Sequence, residues 1–186
     1  MLLSPHNFVD QLDRENEAFF SDKGAWAQSY WAEELSHEAV IMALRMRYWN
    51  EYRGFEVIGR FMYKVDDHRL RMLVGRQVGD EAKHAQVVGR RIRQLGGSIG
   101  SPLKEQEDFY NFLDSCEYPE EFFSAQQFTV ETQSIKRNEA ALHIFDKETS
   151  EMFRRDINPD ELHHVQLGRE GLLHYCTTVA SRILQF

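Results

Sequence analysis

Two octapeptides in the chain share a polar pattern: DEAKHAQV at residues 80–87 and DELHHVQL at residues 160–167. Asp, Glu, His and Gln occupy the same four places in both. On a helix, the Glu-x-x-His within each octapeptide places the carboxylate and the imidazole on one face, one turn apart. Such a pair can act as two ligands of one metal ion, because both groups donate an electron pair at neutral pH.

A lone glutamate precedes each motif by thirty residues. Glu51 precedes Glu81, and Glu131 precedes Glu161. Thirty residues are about the length of chain needed to ascend one helix, turn and return to the same height. Each helical hairpin therefore supplies one lone Glu and one Glu/His pair, and a constant shift of eighty residues relates the two hairpins.

A third Glu-x-x-His, formed by Glu34 and His37, lacks this context. Thirty residues before Glu34 lies Ser4, so no partner glutamate exists for it. Because Glu-x-x-His alone is a weak motif, we interpret this occurrence as accidental.

Four glutamates and two histidines in one helical interior need compensation. Buried carboxylates either take up protons or bind cations. Two divalent metal ions balance four ionised carboxylates, and oxygen-rich ligation with one imidazole per metal favours iron or manganese over structural zinc. The alternative is that all six residues lie on solvated helix faces, and the common register of the six argues against it.

The rest of the chain favours an all-α fold in one main domain. The 186 residues are 42% hydrophobic and contain only four prolines, which is a globular composition. No alternating strand pattern occurs, and apolar residues recur at steps of three and four. The predicted helices lie at residues 5–20, 29–64, 67–95, 119–147 and 149–184, with a connector at 96–118 that contains a short helix.

This order predicts an N-terminal helical extension at residues 1–28 and a bundle domain at residues 29–186. In the bundle, two hairpins of long helices are joined by one long crossover. Gly79 and the pair Asn158–Pro159 precede Glu81 and Glu161 and are poor helix formers. We expect local unwinding or widening of the helix there. Alternatively, Pro159 begins a new helix that Asn158 caps.

With these motifs, the chain resembles the ferritin-like di-iron carboxylate superfamily. Its bundles take a Glu from each of two helices and Glu-x-x-His from the other two. The resemblance implies a ferritin-like four-helix bundle that holds two iron ions, or manganese in one or both positions. Glu81 and Glu161 would bridge the metals, Glu51 and Glu131 would be terminal ligands, and one metal each would be bound by His84 and His164.

The doubled Asp-Glu-x-x-His resembles the oxygenase branch of that superfamily. By this resemblance, Asp80 would orient His164 and Asp160 would orient His84 through the far nitrogen of each ring. The alternative is that both Asp are surface residues. Val88 occupies the position where the radical-generating reductases carry Tyr, and the chain has no Cys-x-x-Cys of the rubrerythrin type.

The resulting expectation is an oxidase or oxygenase that activates O2 and oxidises a small organic molecule. An external electron donor would be a partner, and a homodimer is left open. A substrate pocket is expected one turn from the lone glutamates, lined by Tyr48, Tyr52, Phe55, Gln127, Phe128 and Ile135. Two alternatives are a rubrerythrin-like or ferritin-like protein without an organic substrate, and a metal-free interaction protein that has lost the chemistry.

Charge and hydropathy exclude several other classes. The formal net charge of −8 argues against a nucleic-acid surface. No run of about 18 apolar residues predicts a membrane span. The first residues lack the pattern of a signal peptide, and the two cysteines form no disulfide framework. We expect a cytoplasmic protein.

Overall fold

The computed structural model describes residues 3–30 and 35–177 of the chain. All regular elements within these residues are helical, which confirms the predicted all-α class for them. The α-helices are α1 Pro5–Tyr30, α2 His37–Phe61, α3 His68–Gln94, α4 Lys104–Ser115, α5 Pro119–Phe122, α6 Glu131–Ala141, α7 Lys147–Met152 and α8 Asn158–Tyr175. The short 3₁₀ helix Met62–Lys64 follows α2.

Short polar residues and glycines set the ends of α2 and α3. The Ser36 hydroxyl accepts a hydrogen bond from Ala39 N, and the Asp67 carboxylate accepts one from Leu70 N. At the end of α3, Gly96 adopts a φ of 76°, and Gly97 N donates to Ile92 O. This is a Schellman motif, which needs glycine at the left-handed position, so the helix stop predicted at this point is confirmed.

The helix boundaries differ from the predicted ones at several ends. The N-terminal helix continues to Tyr30, whereas residue 20 was the predicted end. The helix after it begins at His37, and residues 31–34, which include Glu34, lie outside the described residues. The third long helix ends at Ala141, not near Lys147. Residues 178–184 of the predicted last helix also lie outside the described residues.

Two π-helices interrupt the second half of the chain. The first π-helix, Phe123–Val130, ends directly before Glu131, and the second, Phe153–Ile157, ends directly before Asn158–Pro159. The predicted widening near Pro159 is thus confirmed, because a proline lacks the N–H that continues the α-helical ladder. At Gly79 the prediction is wrong, since α3 is a regular α-helix there.

The helices pack so that one polar layer lies between two apolar clusters. Helix α2 packs along α3, while α8 packs against the first π-helix, α6 and α3. One cluster contains Val57, Leu70 and Leu172, and the other contains Leu44 and Ile157. In α2, α3 and α8, the buried glutamates and histidines lie between the residues of the two clusters along the chain. The interior is therefore apolar at both ends and polar in the middle.

Two further helices cover the outside of this bundle. Helix α1 packs against α8, where Arg169 pairs with Asp10 and Asp13. Helix α4 packs on α2 and confirms the short helix predicted within the connector. None of the described helices combines the length and the apolar character needed to cross a lipid bilayer.

Candidate metal centre

The polar layer contains the four glutamates and two histidines singled out by their spacing. Helix α2 contributes one of them, α3 two, α6 one and α8 two. Every one of the six is at most 4% exposed: Glu51, Glu81, His84, Glu131, Glu161 and His164. The structure thus brings all six into one buried cluster.

In the first hairpin, the two helices approach each other at the ligand positions. His84 Nδ1 lies 3.2 Å from Glu51 Oε2. Gly54, one turn after Glu51, faces the neighbouring carboxylate, since a Cβ there would lie 3.6 Å from Glu81 Oε2, in van der Waals contact. The thirty-residue step from Glu51 to Glu81 therefore returns the chain to the same height.

On α8, His164 faces three carboxylates. Its Nδ1 lies 3.3 Å from Glu161 Oε2, 3.4 Å from Glu81 Oε1 and 3.9 Å from Glu131 Oε1. Despite these distances, Nδ1 is fully buried and makes no hydrogen bond of acceptable geometry. A buried ring nitrogen without a hydrogen bond costs free energy, and a metal ion among the carboxylates would satisfy it.

Two groups of three residues have the spacing of metal ligands. Glu51, Glu81 and His84 form one group, and Glu81, Glu131 and His164 form the other. Within each group the ligand atoms lie within 4.8 Å of one another. Glu81 belongs to both groups, which is the arrangement that a bridging carboxylate requires. Together with the unsatisfied nitrogen of His164, this donor set fits two ions of the iron or manganese type.

The two aspartates lie beside the histidines of the opposite hairpin. His84 Nε2 is 3.1 Å from Asp160 Oδ2, and His164 Nε2 is 3.4 Å from Asp80 Oδ2. A carboxylate that accepts the Nε2 proton leaves Nδ1 with its lone pair free. Both imidazoles therefore direct Nδ1, which can bind a metal ion once it carries no proton, toward the glutamates. Lys83 also pairs with Asp160.

Arg47 also belongs to the cluster, although the spacing of the residues did not predict it. Its guanidinium pairs with Glu51 and with Glu161, and it also donates to Ser134 Oγ at 3.1 Å and Asn138 Oδ1 at 3.2 Å. Arg47 lies one helical turn before Glu51 on α2. The sequence signal was therefore a basic residue four positions before a buried glutamate, which is also a common pattern on solvated helix faces.

Three glutamines support the carboxylate of Glu131, and two of them, Gln77 and Gln126, were not predicted from the sequence. Gln77 Nε2 donates to Glu131 Oε1 at 2.8 Å, and Gln126 Nε2 donates to the same oxygen at 3.1 Å. Gln127 Nε2 in turn donates to Gln77 Oε1 at 3.2 Å. Gln127 is thus a buried support of the cluster through Gln77.

Without metal, the pKa is lowered for two of the glutamates and raised for the other two. Burial acts to raise the pKa of all four. For Glu51 and Glu161, the charge of Arg47 outweighs burial and holds the pKa below its usual range. For Glu81 and Glu131, burial and the neighbouring carboxylates raise the pKa well above it.

The pKa of both histidine rings is also raised in the metal-free cluster. Burial opposes this, but the neighbouring carboxylates of Asp80, Glu161 and Glu131 raise the pKa of His164 to about 10. The pKa of His84 is raised by Glu51 against the same opposing burial. Bound cations would displace these protons, as metal ligation by imidazole and carboxylate requires.

A cavity of about 460 Å³ opens directly beside the cluster. All four glutamates line it, and its walls come from α2, α4, α6 and the first π-helix. Among the wall residues are Met46, Phe109, Tyr110, Val130 and Arg137. The volume is in the range of small-molecule sites.

The residues predicted to line a substrate pocket lie elsewhere. Tyr48, Tyr52 and Phe55 line a separate cavity of about 310 Å³, whose lining includes none of the four glutamates. Phe128 is buried in the apolar core, and Ile135 is half-buried. The cavity beside the cluster lies on the side of α2 that faces α4, and which face of α2 this helix covers could not be predicted from residue spacing.

No protein-family model matches the chain, and no curated protein or solved structure matches it either.

Proposed function

We propose that this protein is a dinuclear metal oxidase or oxygenase built on a ferritin-like four-helix bundle. In this proposal, α2 and α3 form one hairpin, and the helical segments from α5 to α6 and from α7 to α8 form the other. The connector that contains α4 is the crossover between them. The close packing of α2 with α3, and of α8 with α6 and the first π-helix, supports this arrangement.

The observation that carries the proposal is the pair of ligand groups that share Glu81. Six acidic and imidazole groups are buried together, and His164 Nδ1 among them has no hydrogen bond. Glu51, Glu81 and His84 would hold one ion, and Glu81, Glu131 and His164 the other. Glu161 is the sixth ligand of the proposed set. Two iron ions, or manganese in one or both positions, would supply the redox chemistry by which O2 oxidises the substrate.

The protein's own residues would prepare this chemistry in three ways. Asp80 and Asp160 hold the protons of the two Nε2 atoms, so that each Nδ1 is free to bind. Gln77 and Gln126 orient Glu131. Arg47 compensates the charge of Glu51 and Glu161 whenever no cation is bound. An external electron donor would supply the electrons that an oxygenase reaction consumes.

The adjoining cavity favours an organic substrate over the alternative without one. A rubrerythrin-like or ferritin-like protein needs access for peroxide or iron only, whereas the cavity here has space for a small organic molecule. Its apolar wall residues Met46, Phe109 and Val130 would contact such a molecule.

Elemental analysis after anaerobic loading with Fe(II) tests the metal proposal. About two metal ions per chain are expected. Glu81→Ala should lose both ions, because Glu81 belongs to both groups, whereas His164→Ala should weaken one more than the other. His163→Ala is the matched control, since His163 is exposed on the same helix. A wild-type protein that repeatedly takes up no metal would contradict the proposal.

A further inference from the structure

Arg137 is an unpaired cation in the wall of the cavity beside the cluster. It lies on α6 at the solvent-exposed mouth. Among the described residues, no Asp or Glu oxygen lies within 4 Å of its guanidinium, in contrast to Arg47, which pairs with two glutamates. Partial burial and the nearby charge of Arg47 lower the pKa of Arg137. Arg47 and Arg137 thus lie near each other, and only Arg47 has anionic partners.

The charge of the cavity depends on whether metal is bound. Without metal, the glutamates of the cluster make it acidic. Two divalent ions balance the four carboxylates and leave the charges of Arg47 and Arg137 uncompensated, with Glu105 as the remaining acid in the lining. A metal-loaded cavity of this composition attracts an anion.

The dimensions of the cavity set the shape of that anion. Arg137 follows Glu131 by six residues, which is about 9 Å along the helix axis. The wall of the same cavity also contains the apolar side chains of Met46, Phe109 and Val130. A ligand that reaches from Arg137 to the cluster therefore needs an anionic end and an apolar body of about that length.

We propose that the cavity binds a small organic carboxylate, which pairs with Arg137 and directs its apolar end toward the glutamate cluster. This inference rests on the proposed dinuclear site, because only a metal-loaded cluster makes the cavity cationic. Arg137 would act as a specificity determinant, since a guanidinium binds a carboxylate through two parallel hydrogen bonds.

Three probes of equal shape and different charge test this proposal. They are 3-phenylpropionate, its neutral amide 3-phenylpropionamide and the cation 3-phenylpropylamine. Each is titrated calorimetrically into protein loaded with Mn(II), whose metal content is measured on the same sample. The carboxylate is expected to bind at least about tenfold more tightly than the amide, and the amine to bind most weakly. In metal-free protein, the preference for the carboxylate should vanish.

Variants separate Arg137 from other sources of affinity. Arg137→Gln should weaken carboxylate binding at least about tenfold and leave amide binding and metal content unchanged. Arg93→Gln is the matched control, because Arg93 is an exposed arginine in the lining of the separate cavity at Tyr48. It should change none of these values.

Each unfavourable result has a distinct meaning. If the loaded protein binds carboxylate and amide equally, or if Arg137→Gln binds the carboxylate as the wild type does, this inference is overturned while the dinuclear site stands. The second result would mean that the carboxylate binds to the metal ions directly. If the protein takes up no Mn(II) or Fe(II), the proposed function fails and this inference fails with it.

Discussion

At the cluster, one guanidinium stabilises two buried carboxylates. Arg47 pairs with Glu51 and Glu161, one glutamate from each hairpin. A buried charge without a partner is costly, so a metal-free cluster depends on this arginine. Divalent cations at the same oxygens would take over its role.

We therefore predict that Arg47→Met destabilises the metal-free protein and increases its response to metal. Loss of a buried ion-pair partner should lower the free energy of unfolding by about 3 kcal/mol. Added Mn(II) should then raise the melting temperature more in the variant than in the wild type. Thermal unfolding with and without Mn(II) measures both effects. Arg45→Met, at an arginine that contacts only Ser98, is the control. A smaller metal response in Arg47→Met would mean that Arg47 supports the metal-bound state.

Asp160 likewise acts on a single atom of the cluster, His84 Nε2. Asp160→Asn removes the carboxylate that faces His84 Nε2, and we expect it to weaken metal binding by about 10- to 100-fold. Asp156→Asn, which removes a carboxylate paired with Arg155 instead, should leave the affinity unchanged. Metal titration by competition with a chelator distinguishes the two. Equal affinities in both variants would argue against an orienting role for Asp160.

The six clustered residues could be predicted from the sequence, whereas Arg47 and Gln77, which hydrogen-bond to them, could not. Helix periodicity and the thirty-residue step between paired glutamates predict Glu51, Glu81 and His84, because both signals depend on spacing alone. Arg47 and Gln77 are polar residues on helices rich in polar residues, and only the packed structure shows that they face inward. The cavity beside the cluster was not predicted for a related reason: the face of α2 that α4 covers depends on the path of the connector.

At the scale of elements, close backbone approach fixes how α8 packs on the first π-helix. A Cβ on Gly168 would lie 2.6 Å from Phe128 N and 2.7 Å from Gln127 C. Backbone atoms cannot move aside as a flexible side chain can. The first π-helix contains no proline or glycine, so neither it nor this contact could be predicted from the sequence.

We predict opposite effects for alanine at two helical glycines. Gly168→Ala should lower the free energy of unfolding by about 1–3 kcal/mol or more, because the added methyl group meets backbone. Gly79→Ala should raise it by about 0.5–1 kcal/mol, because a Cβ there meets nothing within 4 Å and alanine favours helix. Denaturant unfolding of both variants checks this. A neutral Gly168→Ala would mean that α8 can move away from the π-helix at little cost.

At the scale of the molecule, a contact at the end of the bundle joins its two halves. The Tyr175 hydroxyl, just before the end of the described chain, donates to Asp66 Oδ1 at 2.6 Å and accepts from Asp66 N at 3.2 Å. Partial burial and Asp66 raise the pKa of Tyr175 to about 12. The contact connects the end of α8 to the turn between α2 and α3.

This contact predicts a loss of stability at high pH. Because the folded pKa lies above the ordinary value of 10, the contribution is complete below about pH 10 and is lost as the pH rises to about 12. The effect is expected to stay below about 1 kcal/mol, since the group is only half-buried and solvent screens the contact. The difference in unfolding free energy between wild type and Tyr175→Phe should shrink over that range. Tyr63→Phe, at a tyrosine that is 78% exposed, should show no such change.

The first π-helix has a consequence for changes in chain length. A π-helix contains one residue more than the α-helix that would replace it. Deleting one residue from Phe123–Val130 would therefore restore an α-helix in which the residues before and after the deletion keep their faces, whereas the same deletion within a regular α-helix turns one side by about 100°. Phe122 and Phe123 face the core before that point, and Glu131 faces the cluster after it. A single deletion here can therefore preserve both orientations, whereas a single deletion between Glu51 and Glu81 within regular α2 or α3 would turn the ligands apart.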